Sequence, residues 1–545
     1  MSATATFEPA VHTGSSSRFI PYALLAVILF ATCVVRVHLR NIPLERDEGE
    51  YAYAGQLMLQ GIPPYKLAYN MKLPGTYAAY AAILAIFGQS AAGVHLGLLI
   101  VNLATIVLIF LLGRRLSGSI AAVVAAASYA ILSVSPSVLG FAGHATHFVV
   151  LAALAGILVL LEAIDADRVG LTFVSGILLG LAFVMKQPGF LFVIFGGLCL
   201  LAGQRGERVS WMGFIRKLGA FSAGAAVPFA ITCLALWWAG VFGTFWFWTV
   251  SYASQYASNW GIVEGARLFA NAFPRIVGSS IGIWLIAAVG FSAAVWDRQT
   301  RSHRLFLTGF LLFSFLAVCP GLLFREHYFI LLLPAVSLLT GIGVSATKTW
   351  LSALRKGPAL VYLPAALFVI GLAASFYAQK AFFLANDFYA LSRRIYGGNP
   401  FPEAEVISKY IREHTPENSR IAVLGSEPEI YFYSHRHSAT GYIYTYGLME
   451  EQKYALEMQN QMINEIESAR PDALVFVNVA ASWLPMARSQ TLIYSWAQKY
   501  IREQYELTGI AEIHMSYTDY RWGEEAKNYQ PRSNSVVFVF KRKNS

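Results

Sequence analysis

Long apolar runs separated by short polar turns fill the first two-thirds of the chain, and a shorter alternation of β-like and helical patterns fills the rest. A helix needs about 20 apolar residues to cross the hydrocarbon core of a bilayer. Runs near that length lie at 19–38, 93–113, 119–140, 144–163, 170–186, 188–203, 218–240, 279–296, 304–322, 327–346 and 359–377, which predicts about eleven transmembrane helices. The stretch 75–88 is apolar but short, as suits a re-entrant or interfacial helix. The first run, Phe19 to Val37, has no small-residue cleavage site and is read as a retained helix, not a cleaved signal. Beyond Tyr377, β-like runs at Arg420–Leu424, Ala473–Asn478 and Val536–Phe540 alternate with helical patterns at Pro402–His414, Glu450–Ala469 and Pro485–Tyr500. That alternation predicts a small α/β domain. The expected organisation is a cytoplasmic segment 1–18, a polytopic α-helical membrane domain 19–377 with a large first outer loop at 39–92, and an extracytoplasmic α/β domain 378–545.

Composition agrees with a membrane protein. Of 545 residues 56% are hydrophobic and 13% charged, too little polar surface for a soluble chain of this length. Met1 to Tyr377 hold 12 acidic and 23 basic residues, and Ala378 to Ser545 hold 19 and 18, so the net charge of +10 belongs to the membrane block. Such a distribution suits an anionic membrane surface, and no arginine-rich arm or aromatic nucleic-acid motif accompanies it. The four cysteines (Cys33, Cys199, Cys233, Cys319) lie in apolar runs without a CxxC, which leaves the tail without disulfides and excludes cysteine-based zinc or redox chemistry.

The positive-inside rule fixes an orientation. With the N-terminus cytoplasmic, Arg18, Arg114, Arg115, Arg168, Arg205, Arg208, Arg216, Lys217, Arg298, Arg301, Arg304, Lys348, Arg355 and Lys356 face the cytoplasm, 14 of the 23 basic residues in this block. An odd number of spans then puts the tail outside. The other nine basic residues include Arg46, Lys72, Lys186, Arg275 and Arg325, and they read as parts of a site.

The first outer loop carries the densest chemistry. Of six carboxylates placed on the outer side, four (Glu45, Asp47, Glu48, Glu50) fall within six residues. A helix is expected to start at Asp47, with Asp47 and Glu50 as a capping box, and to end before Gly61-Ile62-Pro63-Pro64. Capping accounts for one or two of these acids, not four. Lys72 enters a Pro74-Gly75 break, Lys186 sits at a tight outer turn, and Arg325 opens Arg325-Glu326-His327-Tyr328. Each has an ordinary reading, as a snorkelling lysine, an interfacial lysine and a surface pair with Glu326. Together with the acids they describe an outer-face site in which carboxylates activate a hydroxyl and cations take up a phosphate leaving group. His144 and His147 share one helix face at i, i+3 spacing, but no carboxylate adjoins them in sequence and no metal or other cofactor is expected. The aromatics between Phe242 and Trp260 read as an interfacial belt.

These motifs resemble the protein mannosyltransferase and aminoarabinose transferase superfamily, glycosyltransferase family 39, of the GT-C membrane fold. The resemblance rests on Asp47-Glu48-Gly49-Glu50-Tyr51-Ala52, Lys72-Leu73-Pro74, Lys186-Gln187-Pro188 after Gly180-Leu181-Ala182, and the stretch from Arg325 to Pro334, and it spans most of residues 19–346. It implies that Asp47 is the general base or orients the acceptor, with Glu48 in support, and that Lys72 lies near the donor phosphate. The family often has Lys-Pro-Pro where this chain has Lys72-Leu73-Pro74. The aminoarabinose transferases carry a metal-ligating acid just before that lysine, where this chain has Met71.

The expected function is an inverting hexosyl- or pentosyltransferase in the cytoplasmic (inner) membrane. It moves a sugar from a polyprenyl-phosphate donor to a lipid, glycan or protein acceptor of the envelope. Asp47 and Glu48 are the expected catalytic pair, Lys72, Lys186 and Arg325 the phosphate-binding cations, and Glu50, Tyr51, His327 and Tyr328 their support. Two rivals are a polysaccharide or lipid transporter, which predicts paired repeats and midplane charges, and a non-catalytic assembly protein, which leaves the four acids unexplained.

Overall fold

The computed structural model describes residues 16–203, 211–258 and 261–543, without the side chains of 16–18, 257 and 258. The residues Arg205, Arg208 and Trp260, and most of the N-terminal segment, lie outside the described residues. Every apolar run predicted to span is helical over most of its length. Phe19–Asn41, Ala91–Leu132, Ala145–Asp165, Trp211–Trp238 and Pro358–Ala378 are each long and apolar enough to cross a membrane unaided. The shorter apolar helices Val169–Met185, Gln187–Ala202 and Arg304–Val318 pack among the longer ones.

Ala91–Leu132 is two helices that meet at Ser117 and Gly118, where the backbone leaves helical geometry and Gly118 has φ +82°. A Cβ on Gly113 would lie 3.1 Å from Cα of Ala122. Nine residues of unbroken helix would separate those positions by about 13 Å. The chain therefore doubles back here, between the predicted runs 93–113 and 119–140. Close helix contacts rest on small residues, as expected where lipid supplies no hydrophobic drive for helices to associate. Gly176 and Gly180 meet backbone carbonyls of Phe221 and Ala225, and Gly224 meets that of Phe173.

Several helices were not anticipated, Phe388–Tyr396 among them, and the longest follows the aromatic stretch. Ile262–Gly278 is amphipathic, with Ile262 and Val263 exposed beside Glu264 and Arg267, and bends 103° from Ile281–Trp296. Its apolar residues are spaced for one helical face, not a continuous run, which suits a helix lying along an interface.

The tail forms a sheet of six strands among the described residues: β1 (Arg420–Leu424), β2 (His437–Ser438), β3 (Ala473–Asn478), β4 (Tyr505–Ile513), β5 (Thr518–Trp522) and β6 (Val536–Arg542), in the order β2-β1-β3-β6-β4-β5. β1 runs parallel to β2 and β3, while β6 is antiparallel to β3 and β4. The sequence reading found β1, β3 and β6. It missed β2, which has two residues, and the polar-rich pair β4 and β5. Two helices begin later than expected, at Ala455 and Leu492.

This domain packs directly on the loop that follows the first span. Tyr53 stacks on Tyr431 at 5.2 Å and its hydroxyl accepts from the Ser438 amide, while Gly49 lies against Glu429 so closely that no side chain would fit. The aromatics near 242–260 are partly drawn into the same interface, which corrects the belt reading. Trp248 and Tyr252 are buried, Trp248 stacks on Tyr69 and packs edge-on against Tyr442, and the Tyr252 hydroxyl donates to Glu450.

Candidate active site

The acidic loop helix runs Arg46–Leu59, one position ahead of the expected start. Its cap is Glu45, not Asp47. Glu45 accepts from the Glu48 amide at 3.0 Å and Glu48 accepts from the Glu45 amide at 3.3 Å, a reciprocal capping box. This shift releases Asp47 from capping and leaves its carboxylate to other partners.

Asp47 lies at the centre of the cluster, with its side chain 19% exposed. Oδ1 accepts from Lys72 Nζ at 2.7 Å and from the Tyr444 hydroxyl at 2.8 Å. Oδ2 faces two imidazoles, His144 Nδ1 at 3.7 Å and His327 Nε2 at 3.8 Å. Burial pushes the Asp47 carboxyl up, but Lys72 and the two histidines outweigh it and hold the group well below the usual carboxylate range. Asp47 is therefore ionised, with Oδ1 engaged by Lys72 and Tyr444 and Oδ2 facing the two imidazoles.

The neighbouring acids do different work. Glu48 is buried and turned away from Asp47, with Oε1 accepting from the Gly143 amide at 2.6 Å and lying 3.0 Å from His95 Nε2. It ties the loop helix to the turn that carries His144. Glu50 is fully buried and accepts from Lys72 Nζ at 2.6 Å and from the Tyr77 hydroxyl at 2.6 Å. Tyr51 packs against Tyr77 and Tyr80, and its ring lies 4.6 Å from Lys72 Nζ. Burial raises the Glu45 carboxyl to about 7, helped by the nearby charge of Asp47.

The three predicted cations divide in the same way. Lys72 is already held by Asp47 and Glu50. Lys186 lies 4.2 Å from the centroid of the Tyr328 ring and makes no ion pair among the described residues. Burial lowers its pKa to about 7, with Lys72 and Arg325 adding to the drop and Asp47 opposing it. Arg325 is exposed and likewise has no ion pair among the described residues; Glu326 pairs instead with Arg275 at 3.4 Å. Of the three, Lys186 and Arg325 are the cations without an ion pair among the described residues.

His144 and His147 do not act together. His144 is the N-cap residue of Ala145–Asp165, and its ring stacks on His327 at 4.1 Å with 12° between the planes. Both nitrogens of His144 are buried without a hydrogen bond. Asp47, His144 and His327 bring ligand atoms within 4.8 Å of one another. Imidazole ligands bind an ion in the ring plane, and no ion at bonding distance lies in two planes stacked face to face. As placed, the pair does not fit one metal.

Tyr444 and the His144–His327 stack were absent from the sequence reading. The only hint of Tyr444 is its place among three alternating tyrosines, Tyr442, Tyr444 and Tyr446.

Comparison with known proteins follows the same outline. Residues 72–238 match the family model described as dolichyl-phosphate-mannose-protein mannosyltransferase. ArnT from Cupriavidus metallidurans bound to undecaprenyl phosphate is similar over 97% of this chain and 98% of that one, with 14% identity and a TM-score of 0.59. The chain has the GT-C fold. AglB from Archaeoglobus fulgidus, an archaeal oligosaccharyltransferase in complex with an inhibitory peptide and a dolichol-phosphate, is similar over 97% of this chain and 77% of that one, with 13% identity and a TM-score of 0.51. No curated protein matches by sequence. The mannosyltransferase-type resemblance read from the motifs thus agrees with the family model over 72–238, and the likeness of fold extends along nearly the whole GT-C chain.

Proposed function

We propose that this GT-C protein is a glycosyltransferase that moves a sugar from a polyprenyl-phosphate donor to a hydroxyl acceptor at the outer face of the membrane. The observation that carries the reading is Asp47, a carboxylate whose Oδ1 accepts from Lys72 and Tyr444 and whose Oδ2 faces His144 and His327 at 3.7 and 3.8 Å, in one electrostatic cluster with Lys186 and Arg325. ArnT with undecaprenyl phosphate and AglB with dolichol-phosphate support a lipid-phosphate ligand on this fold.

In this mechanism the acceptor hydroxyl donates to Asp47 Oδ2 while its oxygen attacks the anomeric carbon. The bond from that carbon to the phosphate oxygen breaks, and the electron pair leaves with the phosphate. Lys186 and Arg325 stabilise the charge that gathers there, an effect strengthened where water is scarce. The hydroxyl proton passes to Asp47 as the new bond forms and is lost from there to water, because the carboxyl is held far below neutrality. A single displacement inverts the anomeric centre. Glu48 enters as a support of the His144 turn, and Lys72 as the group that orients Asp47 and Glu50.

The test offers purified protein a polyprenyl-phosphate sugar or a nucleotide sugar, with envelope extract as acceptor. Transfer from the lipid donor alone is expected. Efficient transfer from the nucleotide sugar without a lipid intermediate overturns the proposal.

A further inference from the structure

Asp47 has two donors on Oδ1, and they come from opposite ends of the chain. Lys72 belongs to the first outer loop, while Tyr444 belongs to the sheet domain, 397 residues after Asp47. The adjacent residue, Arg46, is also held by that domain. It pairs with Glu427 at 3.0 Å, donates to the Ser426 carbonyl and to Asn399, and lies 5.2 Å from the ring centroids of Phe401 and Tyr446.

The segment that carries Tyr444 is fixed at both ends. Glu465 accepts from Thr440 Oγ1 and the Gly441 amide, and the Gly441 carbonyl accepts from the Tyr69 amide at 2.6 Å. The Thr445 amide donates to Ser426 Oγ, and its hydroxyl donates to the Ser482 carbonyl. The Tyr444 ring packs edge-on against Tyr446 at 5.5 Å. A tyrosine anchored this way delivers its hydroxyl to one point.

We infer that Tyr444 is a positioning residue for the transfer reaction, so that the sheet domain is a component of the active site and not only its cover. Its hydroxyl and Lys72 together saturate Oδ1, stop rotation of the carboxylate and leave Oδ2 as the sole oxygen for the acceptor. An unpaired Oδ1 would compete for the acceptor hydroxyl in a geometry that faces away from His144 and His327. Misplacement of a reacting group by a fraction of a bond length is enough to slow a reaction strongly. This inference rests on the proposed role of Asp47.

Tyr444→Phe removes the hydroxyl and keeps the ring that packs on Tyr446 and faces Lys72. Its kcat with a polyprenyl-phosphate sugar should fall about 10- to 100-fold, the range for loss of one hydrogen bond to a charged group. Donor KM should stay within about twofold, because phosphate binding lies elsewhere. The acidic limb of the pH–rate profile should move to higher pH, since Asp47 loses a donor that favours its ionised form. Tyr442→Phe is the control: it deletes a hydroxyl of the same segment that bonds to Gln461 at 2.8 Å and does not reach Asp47. Its kcat should match the unaltered protein. The inference is overturned if Tyr444→Phe keeps kcat within about twofold, or if both tyrosine variants lose activity equally. Asp47→Asn run alongside separates the two levels. An active Asp47→Asn removes the proposed role of Asp47 and this inference with it. An inactive Asp47→Asn beside a fully active Tyr444→Phe removes the inference alone.

Discussion

Lys72 Nζ lies 2.7 Å from Oδ1 of Asp47 and bridges to Glu50, so a residue expected to meet the donor phosphate is engaged by carboxylates instead. The reason is local. Two acids one turn apart on the loop helix, both largely removed from water, need a counter-charge between them, and Lys72 supplies it.

Asp47→Asn should abolish the charge and keep the shape. Turnover should fall by about 100-fold or more, the usual contribution of a positioned base, while the protein still folds and inserts. Near-normal turnover would remove Asp47 from the mechanism.

Lys72→Met tests the counter-charge. With Lys72 present, the Asp47 carboxyl sits well below its ordinary value, so the ionised form persists far into acid. Without it, burial and Glu50 both push the Asp47 pKa up. The acidic limb of the pH–rate profile should therefore shift to higher pH, and activity lost near neutrality should partly return in alkali. An unchanged acidic limb would show that Lys72 does not control Asp47.

Glu48→Ala should act on stability. It leaves the buried Gly143 amide and His95 Nε2 without their shared acceptor. Loss of about 1–3 kcal/mol is expected for such orphaned groups, read as a lower Tm in detergent. Lost turnover with an unchanged Tm would instead return Glu48 to the catalytic pair.

The contrast between Glu48 and Asp47 shows what the sequence could and could not reveal. Four acids in six residues marked the loop, and hydrophobic run lengths located the helices, because both are local signals. The capping register was off by two residues because Glu45–Glu48 and Asp47–Glu50 have the same spacing, and only the approach of His95 and Gly143 decides between them. β4 and β5 were missed because polar residues such as Glu506, Asp519 and Arg521 break their apolar pattern. Tyr444 was illegible for a different reason. Its partner lies on a separate domain, and no spacing rule links positions so far apart. Charge placement was more informative. Asp47, Lys72, Lys186 and His327, all assigned to the outer side, come together, with His144 beside them. Arg115 and Lys217, assigned to the cytoplasm, pair with Glu162, Asp165 and Asp167.

The last prediction concerns Lys186, a half-buried cation with no carboxylate partner among the described residues. Its pKa of about 7 means that it is charged below neutrality and largely neutral above pH 8 when no ligand is present. A phosphate beside it would favour the charged form and raise that pKa, so ligand binding above pH 7 must take up a proton. Linkage then fixes the sign for the lysine: once the second ionisation of the lipid phosphate near pH 6 is complete, affinity falls as pH rises through the free pKa of Lys186, by up to about tenfold per unit. The measurement is binding of undecaprenyl phosphate to the purified protein between roughly pH 7 and 9, from that pKa to about 2 units above it. Lys186→Met should bind weakly at all pH values, with the step near 7 gone. Lys186→Arg should bind without that step, because a guanidinium stays charged throughout the range. Arg325→Ala should weaken binding but keep the step, since Lys186 still titrates. Survival of the step in Lys186→Met would assign it to another group, with Glu45, also near 7, the next to test.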